Sequence, residues 1–120
     1  MEKTVLATNV TSKLKQTMYM HATKINKASE FRNKPFKVEE FLMYEQIDKE
    51  GEKVFLILKT IEPDTGNMAV IATNSIVMIE TFSDIVSNLD DGISITDLTF
   101  RINEGKTKNG RTYNLLEFWL

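Results

Sequence analysis

Cysteine is absent from the 120-residue sequence, which excludes a disulfide framework and any thiolate metal site and fits a reducing compartment such as a bacterial cytoplasm. Long apolar runs are missing too: none approaches the ~20 residues that a membrane-spanning helix needs. The opening Met1-Glu2-Lys3-Thr4 lacks the apolar core of an export signal. A soluble, non-exported, cytoplasmic protein with no membrane partner is expected. Chemistry-bearing residues are scarce. His21 is the single histidine and has no acid neighbour in sequence from which a dyad could be argued, so a structural role is expected for it. Glu39 and Glu40 are adjacent and point to opposite faces of a strand unless the chain bulges there. Asp90-Asp91 reads as a charged helix exit, since a metal cage wants several oxygens at defined spacing. No glycine-rich phosphate loop occurs. A binding protein rather than an enzyme is expected, with no cofactor and no metal site.

Basic residues are also absent from one long stretch, and this is the most informative absence. Between Thr60 and Phe100 there is no lysine or arginine, while Glu62, Asp64, Glu80, Asp84, Asp90, Asp91 and Asp97 all fall there. The N-terminal part is sorted the other way: Lys13, Lys15, Lys24, Lys27, Arg32, Lys34 and Lys37 stand against Glu30 alone. Cations return at Arg101, Lys106, Lys108 and Arg111. The net charge of -2 therefore hides two blocks of opposite sign, an arrangement that orients a molecule in the field of a charged partner such as a phosphate backbone. The sequence pI of about 5.4 weighs mildly against nucleic acid.

With 42% hydrophobic residues the chain can bury one core without staples. Residues 1–35 read as a basic N-terminal arm with at most one strand, over Thr17 to Thr23, and with a loop from Asn26 to Pro35. Residues 36–120 read as the main domain. Phe36 to Ile47 is a long, bent first strand that ends in the turn-like Asp48-Lys49-Glu50-Gly51. Val54, Leu56 and Leu58 alternate with Lys53, Phe55, Ile57 and Lys59 as a second strand. Met68 to Thr73 follows the Pro63-Asp64-Thr65-Gly66-Asn67 turn as a third. Ile76, Ile79, Phe82, Ile85, Val86 and Leu89 recur at helical spacing. That helix is capped by Asn74 or Ser75, or begins later at Thr81 with Asp84 as a capping box. In Ile93, Ile95, Leu98, Phe100 and Ile102 the apolar phase slips near Asp97, as a bulge or sharp bend would make it. Asn109-Gly110 signals a hairpin into a last strand from Arg111 to Trp119. Three strands, one helix and a two-stranded hairpin make an all-β protein with one helix, in the element order of the five-stranded Greek-key barrel called the OB fold. A helix packed across an open sheet would use the same elements.

In an OB fold the face of strands two and three is the usual ligand surface. There Phe55 would stand between Lys53 and Lys59, so that a base stacks while ammonium groups meet phosphates. The alternative is a second apolar cluster of Phe55, Ile57 and Ile61 beneath the N-terminal segment. The hairpin tip adds Lys106, Lys108, Arg111 and Tyr113. Lys34 and Lys37 would extend the track, with Tyr19 as a further stacking platform. The acidic Asp48-Lys49-Glu50-Gly51-Glu52 loop counts against a grip from that side. Phe118 is expected to complete the core, and Trp119 with Leu120 to seal a strand edge or a dimer contact.

On Thr65-Gly66-Asn67, the run Ala72-Thr73-Asn74-Ser75 into the helix, and the hairpin Lys108-Asn109-Gly110-Arg111-Thr112-Tyr113, the chain from Phe36 to Phe118 resembles the small replication-associated single-stranded DNA-binding proteins of bacteriophages. The resemblance implies an OB fold that coats exposed single-stranded DNA without sequence preference in phage replication or recombination. It implies a monomer or homodimer in the host cytoplasm, with replication or recombination proteins as further partners. The chain departs from bacterial single-strand binders in lacking a trailing acidic tail with an aromatic tip. The rival expectation is a protein-interaction module, a small phage-encoded inhibitor or accessory factor whose acidic helix is the working face.

Overall fold

The computed structural model describes residues 2–119. Strand β1 (Glu2–Thr8) leads to helix α1 (Lys13–Met20), a two-residue strand β2 (Asn26–Lys27) and a 3-10 turn over Ala28–Phe31. Strands β3 (Phe36–Asp48), β4 (Gly51–Ile61) and β5 (Met68–Thr73) come next, followed by helix α2 (Ile76–Ser87). A second 3-10 turn, Ile95–Asp97, precedes β6 (Thr99–Lys106) and β7 (Thr112–Phe118). The described residues are mostly β, with two α-helices and a sheet curled into a half-barrel. No helix among the described residues is long and apolar enough to cross a membrane.

The sheet runs β2-β5-β4-β3-β6-β7, and β1 pairs with β3 as well. β3 is the pivot, because β4 lies along one edge while the other edge is divided between two strands. Phe36 and Lys37 pair with Phe100 and Thr99 of β6, and Leu42 to Ile47 pair with β1. The register of β3 on β4 shifts between Val38 and Glu40. An extra residue at that point bends a strand and increases its twist, so β6 and β1 can leave one edge in different directions and the sheet curls.

Period-two alternation sends Phe36, Val38, Leu56, Leu58 and Ile71 to the concave face, all nearly inaccessible to solvent. α2 closes that face. The Ser75 hydroxyl accepts from the Met78 amide and starts the helix, and Met78 and Phe82, one turn apart, are buried in the core. The Phe82 ring stands edge-on to Phe41, with centroids 5.1 Å apart, and lies 6.4 Å from Phe100. Each such pair adds about 0.5–1.5 kcal/mol beyond the area it buries. A helix beginning at Thr81 would have left Met78 outside the helix; Thr81 instead sits within it.

The structure corrects the one-helix expectation and the basic arm. Thr17 to Met20 belongs to α1, not to a strand: Ser12 caps it, and Lys13-Leu14-Lys15-Gln16 are strong helix formers that carry the helix onward. Gln16 is buried and donates from Nε2 to the Val10 carbonyl at 2.7 Å, which ties the helix to its leading loop. Part of the expected loop pairs with β5, parallel, through Asn26 and Lys27, and Ala28 enters the core. Seven strands are present among the described residues, where five and an optional sixth were expected. The phase slip near Asp97 is a 3-10 turn with a capping box between Ser94 and Asp97, and Ile95 and Phe100 are both buried on either side of it.

Candidate nucleic-acid interface

On the convex face, β3, β4 and β5 place their side chains in cross-strand rows. Leu42, Ile57 and Ala72 form one row, Glu40, Lys59 and Val70 the next, and Tyr44 stands opposite Phe55. The face is not bare. Leu42, Tyr44 and Ile57 are buried as a second apolar cluster, against which Val5 of β1, Tyr19 and Met20 of α1, and Phe55 pack. Phe55 is half-buried and stacked on Tyr44, with ring centroids 5.3 Å apart and planes 21° from parallel. A second cluster under the N-terminal segment therefore exists, with Ile57 in it and Phe55 packed against it, but without the Ile61 expected to join them.

Beside it lies a polar network. The Tyr19 hydroxyl donates to Glu40 Oε1 at 2.7 Å, and Lys15 Nζ lies 3.0 Å from the same oxygen. Lys59 Nζ reaches Glu39 at 3.6 Å and Glu40 at 3.9 Å. Glu39 and Glu40 thus act on one cation even though they are adjacent, because the chain bulges between Val38 and Glu40. Burial raises the Tyr19 pKa, and the carboxylates of Glu40 and then Glu39 push it further up. Burial also tends to raise that of Glu40, but hydrogen bonds from Tyr19 and Lys15 with the charges of Lys15 and Lys59 outweigh it and bring the carboxyl below its ordinary value. Tyr19 and Lys59 are consequently engaged within the fold.

The seam between β5 and β7 is open. A cleft of about 370 Å³ is lined there by Lys27, Ser29, Phe55, Thr73, Asn74 and Asn114 among others. A second cleft of about 250 Å³ lies against Lys24, Asn26, Lys59, Met68 and Val70. Val70 of one cleft and Ala72 of the other are two residues apart on the same strand and face, roughly 7 Å by strand geometry, and β2 borders both. Lys24 and Lys27 thus flank a track whose floor includes Phe55, Ala72 and Val70.

The hairpin that joins β6 to β7 carries Lys106, Lys108 and Arg111, all exposed and in no ion pair among the described residues. Arg111 is three residues from Asn114 of the cleft, about 10 Å along an extended chain. Tyr113 lies across Gly105 and is half-buried, so its ring is bound to the hairpin backbone. Lys34 is exposed, beside a small separate cavity of about 80 Å³. Lys37 is half-buried beside Phe36, and Lys53 is exposed with Glu50 3.3 Å away. Of the residues singled out from the sequence, the structure gathers Phe55 and Lys59 along the track with the hairpin cations beyond one end, while Lys53 and Lys34 line other hollows. Ser29, Asn74 and Asn114 are not among the binding residues expected from the sequence, Asn74 being marked there only as a helix-cap candidate and part of the run into the helix. Their place depends on a seam between strands remote in sequence, which no local pattern announces.

The acidic loop between β3 and β4 is a tight turn in which Asp48 Oδ1 accepts from the Glu50 amide at 2.8 Å. At the other end of the chain, Phe118 is 44% exposed yet stacks on Phe100 at 5.5 Å, and the Trp119 amide donates to the Thr99 carbonyl at 2.9 Å. Leu120, expected to seal an edge with Trp119, lies outside the described residues. No protein-family model matches the chain, and no curated protein or solved structure matches it either.

Proposed function

We propose that this protein binds single-stranded DNA without sequence preference, through an OB-like half-barrel whose open seam receives the strand. The observation that carries this reading is the cleft in which Phe55, backed by Tyr44, lies among Lys27 and the side-chain amides of Asn74 and Asn114. A ring held on one side by another ring is a rigid platform for a base, and a stacked base contributes about 1–3 kcal/mol whatever its identity. Lys24 and Lys27 supply charge for phosphates on one border, and the hairpin cations lie beyond the other. Tyr19, Tyr113 and Lys59 act as supports within the fold, and the strand contacts fall to Phe55, Lys24, Lys27, Lys106, Lys108 and Arg111. The half-barrel, with α2 between β5 and β6 closing its concave side, is compatible with such a barrel.

Fluorescence anisotropy of labelled oligo-dT tests the proposal directly. Binding is expected at ~50 mM salt, weakening as salt rises with a log-log slope of about -0.7 for each phosphate neutralised on a single strand. Absence of binding at that ionic strength, where electrostatic contacts are strongest, would overturn it.

A further inference from the structure

A second surface is left uncovered on the opposite side of the sheet. Between the C-terminal half of α2 and the end of β7, Asp84, Ile85, Leu89, Asp90, Ile93 and Phe118 line a groove of about 390 Å³. Ile93 and Phe118 are 45% and 44% exposed, and neither Asp84 nor Asp90 meets a cation among the described residues. The groove is apolar with an acidic rim, and its natural occupant carries apolar side chains flanked by a cation.

α1 carries that pattern. Leu14 and Met18, four residues apart and so on one side of the helix, are 72% and 61% exposed, the first the most exposed large apolar residue among those described. Lys13 beside them is exposed and makes no ion pair among the described residues, whereas Lys15 is committed to Glu40. Within one molecule the two surfaces cannot meet: α1 packs on the convex cluster through Tyr19 and Met20, and α2 packs in the concave core through Met78 and Phe82. We infer that the groove between α2 and β7 takes helix α1 of a second copy of this chain, with Leu14 and Met18 in the groove and Lys13 facing Asp84 and Asp90. Such a contact joins unlike surfaces on opposite sides of the molecule. It is head-to-tail, so each copy offers one half of the contact to the next, and the chain of copies grows beyond the dimer until the rotation between neighbours closes a ring or, where it does not close, without limit. The inference does not depend on nucleic acid, and its test uses protein alone.

Sedimentation equilibrium of the purified full chain, from about 10 µM to about 1 mM because one helix in one groove makes a small and weak interface, is expected to show growth beyond dimers with concentration. Leu14→Asp disables α1 and Ile93→Lys disables the groove; each alone is expected to weaken association at least ~10-fold, as the loss of an apolar anchor would. An equimolar mixture of these two variants has one live contact and is expected to give dimers and nothing larger. Lys13→Glu and Asp84→Lys should each weaken growth and restore it when combined in one chain. Circular dichroism of these exposed-site variants controls for folding. A wild-type chain that remains monomeric over the range, as it would if the groove served a basic segment of another protein, overturns the inference. So does association that ignores these substitutions, or a mixture of the two variants that grows beyond dimers.

Discussion

Arg32 and Asn114, 82 residues apart, are joined by a hydrogen bond in which Arg32 Nε donates to Asn114 Oδ1 at 3.1 Å. The same guanidinium lies 3.7 Å from Glu104, and the Asn33 amide donates to the Ile102 carbonyl at 2.8 Å. These contacts clasp the segment after β2 to the β6–β7 hairpin and brace one end of the open seam. Arg32→Ala is expected to lower stability by about 1 kcal/mol, the scale of a partly exposed charge-assisted hydrogen bond. Hydrogen exchange is the more discriminating readout: amides from Asn26 to Asn33 should exchange faster while those of β4 do not. Arg32→Lys should fail to restore protection, because a point charge cannot reproduce the planar fork.

The core of the fold was legible because its signals are local. Alternation in Val54, Leu56 and Leu58, the turn at Asn109-Gly110 and the three-and-four spacing from Ile76 each follow from one element meeting one buried face. The N-terminal third was not legible, since its elements are decided by distant partners. Tyr19 and Met20 read as strand residues until the convex cluster they cover is known, and Asn26-Lys27 becomes a strand only because β5 offers an edge. The candidate site mixes both kinds. Phe55 and the hairpin cations follow from alternation and charge, but the cleft itself is made where β5, β7 and β2 fail to close.

The pair Tyr19 and Glu40 makes stability pH-dependent in a defined direction. Because the folded Glu40 carboxyl titrates below the ordinary glutamate value of 4.5, its contribution is fully present above that pH and is lost as pH falls through the depressed folded value. Tyr19→Phe removes the O–H donor, so the depression shrinks. Urea unfolding is expected to show a loss of about 1–2 kcal/mol at pH 7 and a shallower decline toward acid. At the alkaline end the raised Tyr19 pKa makes the wild-type chain lose stability as pH climbs past 10.0, and the phenylalanine variant should not show that loss at this site.

Gly105 and Tyr113 yield a prediction of sign. A Cβ on Gly105 would stand 2.5 Å from Cζ of Tyr113, so Gly105→Ala must displace the ring. A loss of about 1 kcal/mol is expected in the native background, as for modest overpacking. In a Tyr113→Ala background the obstacle is gone, and the same substitution should stabilise the strand by about 0.5 kcal/mol, because alanine has less backbone freedom to lose than glycine. A double-mutant cycle by thermal unfolding measures the coupling. Equal effects in both backgrounds would show that the ring does not rest on Gly105.

Phe55 and the hairpin cations separate stacking from charge in the proposed DNA site. Phe55→Leu keeps most of the apolar bulk against Tyr44 but removes the flat ring, so stability should fall by only about 0.5–1.5 kcal/mol, that of the lost ring pair, while affinity for oligo-dT among folded molecules falls by the 1–3 kcal/mol a stacked base contributes, about 5- to 150-fold. The salt slope should stay as it was, since no phosphate contact is touched. Replacing Lys106, Lys108 and Arg111 with glutamine should do the reverse. The tip is exposed and in no ion pair among the described residues, so unfolding is unaffected, yet affinity drops and the slope flattens by about 0.7 for each cation that had met a phosphate. Lys27→Gln tests the opposite border of the cleft in the same way. If the triple substitution leaves the slope intact while Lys27→Gln reduces it, the strand runs along β2 and the hairpin is a solvated turn; if neither changes it, the cations around this seam do not bind a backbone.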